Sequence, residues 1–135
     1  MSDDNPSILS HVSLGTNNFE QSCLFYDKAL APLGITRVET IPGEAVAYGK
    51  QYPEFWVVVP HNNARSEVGN GTHIGFIARS KEAVQAFYDT ALSVGGIDNG
   101  APGPRPAYGE PYYGCFIIDP EGHKIEASFW DETLV

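Results

Sequence analysis

The chain has 135 residues, room for one domain or two small half-domains sharing a core, and its 42% apolar and 19% charged content describes a globular protein, not a disordered one. Eight Lys and Arg against 17 Asp and Glu give a net charge of −9, which argues against a nucleic-acid partner and against docking on an anionic membrane. No apolar run nears the ~20 residues that span a bilayer. The N-terminal MSDDNPS is unlike a signal peptide, and two cysteines without a C-x-x-C spacing fit a reduced, cytoplasmic setting.

In chain order, Ile8 to Leu14 is a short apolar run closed by Gly15 and predicts a strand. From Asn17 the period changes. Phe19, Cys23, Tyr26, Leu30 and Leu33 are spaced 4, 3, 4 and 3, one face of an amphipathic helix. Asn17 with Glu20 supplies a capping box, and Gly34 the stop. Three strands follow, Ile35–Ile41, Glu44–Lys50 and Glu54–Val59, separated by Pro42-Gly43 and Gln51-Tyr52-Pro53. The polar stretch Pro60–Gly71 reads as a linker.

Thr72–Ala78 then predicts a strand, Ser80 an N-cap, and Val84, Phe87, Ala91 and Val94 a second helix that Gly95-Gly96 ends. The stretch from Ile97 runs into Gly100–Pro106, too rich in proline for a central strand. Tyr112–Ile118 and Lys124–Trp130 are strands joined by the Asp119-Pro120-Glu121-Gly122 turn.

These elements are one unit written twice. His11 and His73, Phe25-Tyr26-Asp27 and Phe87-Tyr88-Asp89, Ala29-Leu30 and Ala91-Leu92, and Gly34-Ile35 and Gly96-Ile97 are all separated by 62 positions without a gap. The fold expected is α+β: one domain over 1–135 made of two βαβββ modules, about 7–60 and about 72–130, joined by a linker over 61–71. The modules would pair into a curved mixed sheet around a cleft.

Polar side chains on core-facing strands need a partner or a function, because burying them alone is costly. Three stand out: His11, His73 at the equivalent point of the second copy, and Glu126 on the last strand. A single strand histidine is commonly a hydrogen-bonded structural residue, but two at equivalent positions are not independent accidents. Together with Glu126 they could form a 2-His-1-carboxylate set suited to Fe, Mn, Ni or Zn, with positions left open for water or substrate. Tyr48, Trp56, Tyr112 and Phe116 could line an aromatic pocket, and Tyr108 is a further candidate. Arg105 is the cation best placed to bind an anion, so a bound metal would be the main local positive charge. His61 and His123 read as exposed, and Cys23 and Cys115 as small buried hydrophobes rather than nucleophiles.

The strings SHVSLGTNNFEQSCLFYDKAL, GTHIGFIARSKEAVQAFYDTAL and DPEGHKIEA resemble the vicinal oxygen chelate superfamily, which contains glyoxalase I, extradiol dioxygenases, fosfomycin-resistance transferases and bleomycin-resistance proteins. The resemblance implies paired βαβββ modules around a divalent metal held by His11, His73 and Glu126. It also implies a small substrate bound through vicinal oxygens, an acid/base role for a residue such as Tyr112, and a homodimer, sometimes with modules exchanged between chains. Trp56 stands where glyoxalase I has an acidic ligand, so that activity loses its usual base. Glu54, two residues away on the same face, is displaced ~6–7 Å along the strand. The alternative class is a metal-free protein that sequesters a ligand, as bleomycin-resistance relatives do.

Overall fold

The two modules of the computed structural model, which describes residues 5–135, are built on the same plan. In the first, β1 (Val12–Gly15), α1 (Phe19–Ala29), β2 (Thr36–Ile41), β3 (Ala45–Gly49) and β4 (Phe55–Val58) make a sheet of order β1-β4-β3-β2. In the second, β5 (His73–Ile77), α2 (Lys81–Ser93), β6 (Ile97–Pro104), β7 (Tyr112–Ile118) and β8 (Lys124–Trp130) repeat it as β5-β8-β7-β6. Each sheet is mixed: β1 runs parallel to β4 and β5 parallel to β8, and the remaining pairs are antiparallel. The architecture is α+β with paired βαβββ modules, and the sheets do not close into a barrel.

Alternation along the strands gives each sheet one packed and one open face. Leu14, Val46, Tyr48, Phe55 and Val57 point from the first sheet into a core shared with Phe76, Cys115, Ile117, Ile125 and Ala127 of the second. The helices close that core through Phe25, Tyr26 and Ala29 of α1 and Val84, Phe87 and Ala91 of α2, all buried. The modules meet at an edge-to-face contact between Phe55 and Phe76, ring centroids 5.0 Å apart. Two buried polar contacts join them further: the Tyr26 hydroxyl donates to Oδ2 of Asp119 at 2.5 Å, and Nε2 of His123 lies 2.8 Å from the carbonyl of Gly15.

Local chemistry fixes the ends of the elements. Asn18, not Asn17, caps α1 by accepting from the Gln21 amide, which leaves the Asn17 side chain to hold both backbone groups of Ser66 in the linker. Ser80 caps α2 through the Ala83 amide, as its sequence predicts. Gly34 ends a 3-10 turn that follows α1, at a φ of 75° that favours glycine. β6 is a full strand of eight residues despite Pro102 and Pro104, because it lies at the sheet edge, where a missing N–H breaks no ladder. Among the described residues no helix is long and apolar enough to cross a membrane.

Candidate functional site

The open face of the second sheet gathers the polar residues that its core face excludes. His73 and Gly75 on β5 lie beside Lys124 and Glu126 on β8, and Glu126 lies opposite Phe116 on β7. Nε2 of His73 is 2.8 Å from Oε1 of Glu126, and Oε2 of the same carboxylate accepts from the Tyr112 hydroxyl at 2.5 Å. Tyr112 reaches that oxygen because its ring lies over Gly114, where a Cβ would overlap the phenol. Burial, then the hydrogen bond to Glu126, holds the Tyr112 phenol well above its ordinary range, so its hydroxyl keeps the proton that it donates to the carboxylate.

The matching face of the first sheet carries His11, Ser13, Glu54, Trp56 and Val58 around a pocket of about 690 Å³ that Tyr52 and Ile41 also line. The register is that of the second module. Val12 pairs with Phe55 as Ile74 pairs with Ile125, so Trp56 takes the place of Glu126, and Glu54 the place of Lys124. Within one chain, His11 does not join His73 and Glu126. Among the described residues no three His, Cys, Asp or Glu side chains are gathered closely enough to hold a metal ion.

Cations do collect beside Glu126, contrary to the sequence expectation that Arg105 would be alone there. The Lys124 ammonium lies 4.9 Å, and the Arg105 guanidinium 5.6 Å, from the centroid of the Phe116 ring, with the His73 ring at 5.6 Å. Sequence reasoning missed Lys124, although its position two residues before Glu126 puts it on the same strand face. Tyr108 stands edge-to-face against Tyr112 at 5.0 Å, and Trp130 is half exposed at the end of β8.

Two further sequence expectations are corrected. Tyr48 is only 1% exposed and lies on the core side of β3, its hydroxyl donating to Asp27 and to the Cys23 carbonyl, so it is not on the face that carries Trp56. His123 is 4% exposed: its Nε2 lies against the Gly15 carbonyl and its own amide donates to the Asp119 carboxylate, so it is not the exposed turn residue expected. Its Nδ1 has no hydrogen-bond partner among the described residues. His61 is exposed, as expected. Both cysteines are buried and unpaired, and burial pushes the Cys115 thiol up to about 12, far from nucleophilic behaviour.

The model of the Glyoxalase/Bleomycin resistance protein/Dioxygenase superfamily matches residues 8–127 of the chain. A glyoxalase/bleomycin resistance protein from Albidiferax ferrireducens T118 is 34% identical, with 90% of this chain and 98% of that one covered and a TM-score of 0.80. A glyoxalase-related enzyme from Fulvimarina pelagi (19% identity, 93% and 88% coverage, TM-score 0.71) shares the fold. So does a lactoylglutathione lyase from Agrobacterium tumefaciens (20% identity, 92% and 94% coverage, TM-score 0.61). No curated protein matches the chain.

Proposed function

Because the chain belongs to the glyoxalase/bleomycin resistance protein/dioxygenase superfamily, we propose that it is a divalent-metal-dependent enzyme acting on a small substrate, its site assembled from two copies of the chain. One copy supplies His73 and Glu126, and the other supplies His11. The observation that carries this reading is the His73–Glu126 pair, 2.8 Å apart, on an open face that holds only two of the three donors. The third donor, His11, immediately precedes β1 and is exposed, lining the pocket on the other sheet's face.

The donors fit such an ion in kind. An imidazole nitrogen and a carboxylate oxygen converge, and the second carboxylate oxygen is held by Tyr112, the sort of outer hydrogen bond that orients a metal ligand. Bound there, the ion would supply a Lewis acid for two neighbouring oxygens of the substrate. The protein's own part is to fix Glu126 through Tyr112, to set the apolar ring of Phe116 opposite it on β7, and to put Trp56 at the register position equivalent to Glu126. Trp56 accepts no proton. The chemistry is therefore of a kind that needs no carboxylate base at that position, which disfavours the isomerisation of a hemithioacetal.

A metal-free ligand-sequestering role is the second reading, favoured by the Trp56- and Tyr52-lined pocket of about 690 Å³ beside His11. Equilibrium dialysis against cobalt(II) or zinc(II) decides between them. The enzyme reading expects one ion per chain and its loss in His11→Ala, His73→Ala and Glu126→Gln. Absence of stoichiometric binding, or binding that survives His11→Ala, would leave the sequestering role.

A further inference from the structure

We propose that Arg105 and Lys124 form a seat for the carboxylate of a small organic acid, on the Phe116 ring beside Glu126. As a statement about the substrate it rests on the reading of this face as the substrate face, but it uses none of the residues assigned to the metal.

The seat is built by the proline-rich segment that the sequence pattern leaves without a role. Arg105 turns back on its own loop, with Nη2 donating to the Ala101 carbonyl at 2.7 Å and Nη1 to the Pro104 carbonyl at 3.1 Å. Gly100 and Gly103 make room for it. A Cβ at Gly100 would stand 3.2 Å from Nη2 and 2.9 Å from the Phe116 ring, and one at Gly103 would stand 3.4 Å from Nη1. Gly100 also has a φ of 153°, which other residues rarely adopt. Two carbonyls thus lock the guanidinium over Phe116 and leave its other N–H donors unused, since a guanidinium has five.

From β8 the Lys124 ammonium reaches the same ring, 4.9 Å from its centroid. Neither cation makes an ion pair among the described residues, whereas Arg37 is matched by Asp27 at 2.7 Å. Glu126, the carboxylate on the same face of β8, is already engaged by His73 and Tyr112. In a chain of net charge −9, two cations without an ion pair among the described residues, 5.6 Å and 4.9 Å from the centre of one largely buried aromatic ring, make a local positive field at this edge of the sheet. The planar fork of an arginine fits the two oxygens of a carboxylate, and the aromatic surroundings of Tyr108, Tyr112 and Trp130 suit the organic part of the molecule.

The test uses the full-length protein in EDTA, titrated calorimetrically with benzoate, with benzyl alcohol as its neutral counterpart, and with inorganic phosphate. Benzoate is expected to bind more tightly than both. Arg105→Gln and Lys124→Gln should each weaken benzoate by about tenfold, the loss of one charge-assisted contact, and leave benzyl alcohol unchanged. Two variants on different elements keep the test decisive if one of them misfolds, which a melting curve reveals. Equal affinity for benzoate and benzyl alcohol, tighter binding of phosphate, or benzoate binding indifferent to both substitutions would overturn the proposal. A parallel cobalt(II) titration separates the two readings: loss of the seat with metal binding intact refutes only the seat, and the converse refutes only the metal site.

Discussion

Trp56 occupies, opposite Ser13, the register position that Glu126 occupies opposite Gly75. The two modules therefore share a backbone plan, and at this position the first carries an indole where the second carries a carboxylate; on the proposed reading the first would contribute His11 alone. If the face around His11 meets the face around Glu126, a carboxylate at position 56 would add a fourth donor. Trp56→Glu is expected to raise cobalt(II) affinity by about tenfold or more. Unchanged affinity would mean that position 56 does not face the metal.

Gly114 and Tyr112 test the support of Glu126. With the Tyr112 ring lying over Gly114, Gly114→Ala displaces the phenol from Oε2 of Glu126 and also crowds the Ala127 carbonyl, so Tyr112→Phe is the cleaner probe of the hydroxyl. Both Gly114→Ala and Tyr112→Phe should weaken metal binding by roughly 10- to 100-fold, the usual effect of losing a ligand's outer hydrogen bond. Affinity equal to that of the parent in Tyr112→Phe would show that the hydroxyl does not orient the carboxylate.

The junction between modules depends on Asp119, which is 2% exposed and accepts from Tyr26 across the interface and from the amides of Glu121 and His123 in its own turn. Removing it leaves a buried phenol and two amides without their acceptor. Asp119→Ala should cost about 2–3 kcal/mol, or roughly 6–12 °C in Tm, read by thermal melting. A shift below a degree would mean that the contact is not formed in solution.

Tyr26 also makes the fold sensitive to alkali. Burial first, then the Asp119 carboxylate, raises its phenol well above the ordinary value. The native state keeps a proton that the unfolded chain gives up near pH ~10. The associated stability is complete below that pH and is lost as pH rises above it, at about 1.4 kcal/mol per pH unit for this group. Above pH ~10 Tm should fall less steeply in Tyr26→Phe than in the parent, whose slope carries this group's share in addition to that of the buried thiols. Equal slopes in the two proteins would contradict the assignment.

The repeat made the fold legible, because the 62-residue offset carries both strands and helices in step and the strand registers follow it. Boundaries moved where a side chain had a better use elsewhere, as when Asn17 turned to Ser66 and left the cap to Asn18. His123 misled because a histidine in a turn string gives no sign of a carbonyl reaching it from the other module. Tyr48 misled because alternation along β3 has two solutions when both faces carry apolar residues: Ala45 and Ala47, themselves buried, took the face that carries Trp56. The pairing of His73 with Glu126 could be foreseen from parallel strands; the separation of His11 from them could not, since it depends on how the modules pack.

That separation makes the central claim open to a direct test by mixing chains. His11→Ala and Glu126→Gln variants each lack one donor of every site, so neither should bind cobalt(II) alone. Unfolded together and refolded, the mixture should regain sites, because a mixed pair places the intact His11 of one chain against the intact His73 and Glu126 of the other. Recovered cobalt(II) absorbance approaching one intact site per mixed dimer is the predicted result. No recovery in a mixture that forms dimers, or full binding by either variant alone, would contradict a site shared between two copies.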